Sequence, residues 1–225
     1  MITINNEEVM GWEHAVRGMR NPMNSWDRSD STFDEEGIAW IGEKDHERMT
    51  NLAKAGSVHA KYRRMIMVYV DVTAPLYFWK EFDTYKVGTV ANSCSTMHKI
   101  ADKEFTLDDF SCEHLITEEK LSDDERYMYA PPIMALETVI SHMNHYREQY
   151  LKTKNKNDWW QMIQLLPSSY NQKRTVMLNY EVLANIYEYR RNHKLDEWRD
   201  FCKWIETLPY SEIITCGVKG IDIFE

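Results

Sequence analysis

Hydrophobic positions along the chain recur with two different periods, and these predict a mixed set of elements. In EKDHERMTNLAKAG (43–56), Met49, Leu52 and Ala53 fall on one face, the spacing of a helix, and Gly56 suits its C-cap. RMIMVYVDVTAP (64–75) is β-branched and aromatic, a strand pattern that stops at Ala74-Pro75. Pro75 suits the first turn of a helix through PLYFWKEFDTYKV (75–87). Residues 104–130 mix acidic residues with single hydrophobes and end in Ala130-Pro131-Pro132, which predicts loops with short helical pieces.

From Ile133 onward the pattern is helical. Ile133, Leu136, Ile140 and Met143 form one apolar stripe, and Trp159, Trp160, Ile163 and Leu166 form another. A third helix is expected from Lys173 to Arg191, and a fourth from Leu195 to Leu208, before Pro209. Before residue 60 the chain carries polar turn material, RNPMNSWDRSDST. With no repeats or linkers in view, the expectation is one α+β domain over residues 1–225.

Composition narrows the partners. Of the 225 residues 43% are hydrophobic and 28% charged, a globular balance, and the net charge of −9 argues against general binding to nucleic-acid phosphates. A small anionic ligand in a locally cationic pocket stays open. Cys94, Cys112, Cys202 and Cys216 have no metal-type spacing and suit reduced thiols. MITINNEEVMGW lacks the pattern of a secretory signal, and no stretch approaches the roughly 18 apolar residues of a membrane span, so a soluble cytoplasmic protein is expected.

Common chemical motifs are absent: there is no Gly-rich phosphate loop, HExxH or nucleophile elbow. His142 and His145 are three apart, but without acidic or cysteine partners at fixed spacing they suit surface or packed histidines better than metal ligands. On a helix starting near Lys173, Asn179 and Arg190 would differ by only about 20° and could meet an extended ligand, with Lys194 about 60° away if the helix continued. A solvated helix face explains the same spacing.

LLPSSYNQKRTVMLNYEVLANIYEYR (165–190) resembles the C-terminal half of flavin-dependent thymidylate synthases. The matching positions are Leu166-Pro167, Asn179, Leu183, Asn185 and Arg190. His59, the strand MIMVYVDV and Ala74-Pro75 fall at the family's separations in the N-terminal half. The family signature, Arg-His-Arg, seven residues, then Ser, maps onto YKVGTVANSCSTMH (85–98), with Asn92 and Ser95 at its end. Tyr85-Lys86-Val87, or Thr84-Tyr85-Lys86 in the neighbouring register, stand where the Arg-His-Arg would be, and Lys86 is the only cation in either. The family's Arg and Tyr after the Ser become Met97 and His98, its phosphate-contacting Arg becomes Ile163, its Glu before the strand becomes Arg64, and its His after the helix becomes Lys194.

The resemblance implies an antiparallel-type sheet flanked by long helices and a homotetramer with active sites between subunits. It also implies FAD as cofactor, dUMP as substrate, and methylenetetrahydrofolate and NADPH as co-substrates. In that scheme Ser95 is catalytic and lies near the base. Tyr85, Cys94, Ser95, Thr96 and Met97 line the nucleotide, and His59, Arg64, Lys86, Asn92, Ser93, Asn179, Asn185, Arg190 and Lys194 bind cofactor, with Gly88 letting backbone approach the ligand. No cysteine nucleophile is used. Arginine forks suit phosphates better than a point-charged Lys, so their loss predicts a changed anion site. Three readings follow. The first is a divergent thymidylate synthase in which Lys86, Arg63 or Arg64, Lys173 and Arg174 neutralise charge. The second is an FAD-dependent enzyme modifying C5 of another pyrimidine nucleotide, and the third is a non-catalytic binding or assembly relative.

Overall fold

A computed structural model describes residues 1–35, 37–122 and 130–217. Strands are β1 (Thr3–Met10), β2 (Thr32–Phe33), β3 (Ala39–Trp40), β4 (Met67–Pro75), β5 (Val90–Ser93) and β6 (Asn171–Asn179). Helices are α1 (Trp12–Arg20), α2 (Glu43–Lys54), α3 (Leu76–Phe82), α4 (Thr96–Lys99), α5 (Pro132–Thr153), α6 (Lys156–Leu165), α7 (Tyr180–Arg190), α8 (Asp196–Thr207) and α9 (Glu212–Thr215). β1, β4, β6 and β5 form a four-stranded sheet in that order, so β5 is an edge strand, while β2 and β3 form a small antiparallel ribbon. The expected combination of helices and an antiparallel-type sheet is what the chain adopts.

The chain divides into two compact units whose internal boundaries fall inside β4, α3, β5 and β6, at Val72/Thr73, Glu81/Phe82, Asn92/Ser93 and Lys173/Arg174. The first unit takes Thr73–Glu81 and Ser93–Lys173 with Met1. Its core takes Leu136, Ile140 and Met143 from the expected α5 stripe, but from α6 the fully buried residue is Met162, outside the expected stripe, all packed against Ile100, Phe105 and Phe110. Trp159, Ile163 and Leu166 are partly buried against this cluster, whereas Trp160 is exposed. α6 is capped by Asn155, whose side chain accepts a hydrogen bond from the Asn157 N–H at 3.0 Å, a standard way to satisfy a first-turn donor. His142 Nδ1 donates to the Thr138 carbonyl at 2.8 Å, which ties it to its own helix.

The second unit takes Ile2–Val72, Phe82–Asn92 and Arg174–Glu225. Its floor is the β4 and β6 core, Val68, Val70, Val72, Val176 and Leu178, with Leu183 and Ile186 of α7 and Trp198, Phe201 and Ile205 of α8 fully or almost fully buried. Gly11 opens α1 at φ +92°, and a Cβ there would lie 2.2 Å from the Met65 carbonyl oxygen, so only glycine fits. Buried Asp45 holds the Ser29–Ser31 loop through both hydroxyls and pairs with Arg20 at 2.6 Å.

The expected helix from Lys173 to Arg191 is corrected: its first third is strand β6, and α7 begins only at Tyr180. The helix expected from Pro75 stops at Phe82, and its last residues form a turn instead. α2, the strand ending at Ala74-Pro75, α5 and α8 match the sequence pattern closely. Within 104–130 two short helical turns form, at Leu107–Asp109 and Glu118–Lys120, while 123–129 lie outside the described residues. Among the described residues no helix is long and apolar enough to cross a membrane.

Candidate functional site

In the second unit the residues 85–88 run along α7 from its last turn to its first. At one end Arg190 Nε donates to the Tyr85 hydroxyl at 3.0 Å, with the guanidinium 5.8 Å from the Tyr85 ring centre and 4.8 Å from that of Trp198. Trp198 is itself stacked on Phe82 at 6.2 Å, so the cation rests on a rigid aromatic wall. At the other end Gly88 has φ +79°, and a Cβ there would lie 2.8 Å from Asn179 Nδ2. The glycine lets the loop close onto the N-terminus of α7.

Asn179 has a specific local task. Its side-chain oxygen accepts from the N–H groups of Glu181 and Val182, both at 3.1 Å, and caps α7. It is the last residue of β6 and 8% exposed, so it does not share an open helix face with Arg190 as the sequence spacing suggests. Lys194 lies beyond the end of α7, so the helical continuation toward it is likewise corrected. Asn185, exposed, lies in the middle of α7.

Two cations expected to replace the signature arginines are committed elsewhere. Arg63 is buried, faces Glu181 at 3.6 Å and donates to the Ile213 carbonyl. Arg174 pairs with Asp83 at 2.7 Å. Lys86, Arg64 and Lys194 are exposed, and among the described residues none of them forms an ion pair or a side-chain hydrogen bond. His59 is exposed in the turn after α2. Among the described residues no hydrogen bond joins His59, Arg64, Lys86, Asn185 and Lys194 to one another.

The end of the signature stretch, 93–97, lies in the first unit. Ser95 caps the short helix α4, its Oγ accepting from the His98 N–H at 3.3 Å. The Cys94 N–H donates to the Lys173 carbonyl at 2.9 Å. The Gln172 amide donates to both the Cys94 carbonyl and Thr96 Oγ1 at 3.1 Å, and Trp159 Nε1 donates to the Met97 carbonyl at 3.3 Å. Ser93, Cys94 and Met97 are exposed, and Ser95 and Thr96 half-buried. Gln172 carries no sequence signal of its own, since one polar residue in a strand has no motif to belong to.

Two other thiols are held in the neutral form. Burial pushes Cys202 up to about 12, with Glu206 adding to the effect, so it is a neutral core side chain. Burial and then Glu113 also raise Cys112.

No family model matches the sequence, and no curated protein matches it. Solved structures do. Thymidylate synthase X from Helicobacter pylori, crystallised with FAD and dUMP, superposes with a TM-score of 0.66 at 16% identity, over 96% of this chain and 99% of that one. The UMP/dUMP methylase PolB from Streptomyces cacaoi, bound with 5-bromo-dUMP, gives 0.59 at 11% identity, over 97% and 96% of the two chains. At these identities the likeness establishes architecture: the chain has the fold of a flavin-dependent thymidylate synthase.

Proposed function

We propose that this chain is a flavin-dependent methyltransferase acting on C5 of a uracil nucleotide, with dUMP as substrate and FAD as cofactor. The observation that carries the reading is the near-complete match, in both directions, to a thymidylate synthase structure that holds FAD and dUMP. The Asn92 and Ser95 register and the Arg190 position support it. The one-carbon unit comes from methylenetetrahydrofolate and the reducing equivalents from NADPH. Assembly as a homotetramer and a cytoplasmic setting complete the proposal.

The donor set fits such ligands. A dinucleotide pyrophosphate and a nucleotide phosphate need cations and amide donors, and the chain offers exposed Lys86, Arg64 and Lys194, with exposed Asn92 and Asn185. His59, Arg64, Lys86, Asn92, Ser93, Asn185, Arg190 and Lys194 are assigned to FAD; Asn179 acts on that surface only through the helix it caps. When bound, the flavin supplies the hydride that completes the methyl group.

Tyr85, Cys94, Ser95, Thr96 and Met97 are assigned to the nucleotide. A serine hydroxyl has one donor and two acceptor positions, and the His98 N–H occupies an acceptor of Ser95. That leaves its O–H to donate to a uracil carbonyl, orienting the ring. Lys86 meets phosphate as a point charge where a guanidinium fork would hold it by two bonds, which loosens the grip on a dianion.

A second reading, UMP in place of or beside dUMP, is favoured by one observation: the chain shares its fold with a methylase described for both nucleotides. The test is direct. Purified protein should be yellow, or gain thermal stability on adding FAD. A colourless protein whose melting is indifferent to FAD overturns the flavoprotein reading. With flavin bound, tritium release from C5-labelled dUMP and UMP ranks the two substrates.

A further inference from the structure

Ser95 stands in an open stretch of chain, yet that stretch is fastened at four points within its own unit. The backbone of Cys94 is bonded to Lys173, the Gln172 side chain bonds to the residues on both sides of Ser95, and Trp159 bonds to Met97. Gln172 is fixed in turn, because Trp79 Nε1 donates to its carbonyl at 2.9 Å and Trp79 is fully buried. A buried indole thus anchors the backbone of a strand residue whose amide straddles the serine. Loops of small polar residues at a sheet edge are ordinarily free to move, and a hydroxyl that must meet a substrate atom has to be held within about 0.5 Å.

We propose that Gln172 is a positioning residue for Ser95: its two N–H groups clamp the Cys94 carbonyl and Thr96 hydroxyl and so fix the direction of the serine hydroxyl between them. This rests on the nucleotide-binding reading given above. Gln172 touches no substrate; it acts through Ser95. The functional groups it uses are donors alone, so a side chain of similar length without N–H groups removes the clamp and leaves the strand.

Gln172→Met does this without adding charge, and Gln172→Ala is a second variant that shortens the side chain. Binding of dUMP to the flavin-loaded protein is measured by calorimetry for wild type, each Gln172 variant, Ser95→Ala and the double variants, with thermal melting on the same samples. The expected result is about tenfold weaker dUMP binding for Gln172→Met, and less than a twofold further change when the same substitution is made on Ser95→Ala. A structural role alone would lower melting and give additive losses in the double variant, which overturns the proposal. Unchanged dUMP binding in both Gln172 variants also overturns it, while leaving the nucleotide reading in place. A wild-type protein that takes up FAD and no uracil nucleotide overturns the nucleotide reading and the clamp together.

Discussion

Arg190 donates its Nε–H to the hydroxyl of Tyr85 at 3.0 Å while its guanidinium lies over the buried Trp198 ring at 4.8 Å. A residue that spacing alone places on a solvated helix face is thereby tied to the signature stretch. A charge-assisted hydrogen bond contributes roughly 1.5 to 3 kcal/mol and a cation–π contact roughly 0.5 to 2. Arg190→Ala should therefore cost about 2 kcal/mol by urea unfolding and also weaken FAD binding. A loss below about 0.5 kcal/mol, the range of an ordinary surface change, would contradict the first part, and an unaltered flavin titration the second.

Gly88 is exposed, and by exposure alone alanine would be harmless there. Its positive φ and the 2.8 Å approach of a Cβ to Asn179 Nδ2 argue otherwise. Gly88→Ala should destabilise the protein by about 1 to 3 kcal/mol. Equal denaturation midpoints for the two proteins would show that the loop does not close on α7.

Asn179 separates a cap from a ligand contact. Asn179→Ala should cost about 1 kcal/mol, whereas Asn179→Asp keeps the acceptor oxygen and most of the stability. If both variants melt alike, the capping account fails.

How much of this was legible follows from the same residues. The α5 stripe was readable because a packed helix repeats its apolar positions at helical spacing, and Leu136, Ile140 and Met143 are buried accordingly, whereas α6 buries Met162 and leaves Trp160 exposed because its expected stripe was centred off the face that packs. Lys173–Asn179 misled because α7 follows β6 with no intervening turn, and its apolar positions blend into the helix. The signal was present: an Asn followed two residues later by Glu181 is a helix start, with an acceptor for first-turn donors and a charge that suits the helix dipole. Arg63 and Arg174 looked like spare cations because their carboxylate partners, Glu181 and Asp83, are 118 and 91 positions away in sequence. Gln172 was silent for a related reason, as its bonds reach 76 and 78 positions back along the chain.

Asp45 carries the clearest acid dependence. Burial pushes its carboxyl up, but hydrogen bonds from Ser29, Ser31 and Arg20 and the Arg20 charge outweigh this and hold it below the ordinary value of 3.8. A carboxyl depressed in the folded state contributes stability that is complete above its unfolded value and lost as pH falls through the lower folded value. Wild type should therefore keep this contribution down to about pH 5 and lose it progressively below about pH 4. Asp45→Asn, which leaves Arg20 buried without its counter-charge, should cost about 3 kcal/mol at pH 7 and progressively less in acid. A penalty that stays constant from pH 7 to pH 3 would contradict the assignment.

The most direct measurement is tritium release from dUMP labelled at C5, with purified protein, FAD, NADPH and methylenetetrahydrofolate. Release to water should require FAD and fall sharply in Ser95→Ala. Flavin-loaded protein that releases no tritium from either dUMP or UMP would contradict it.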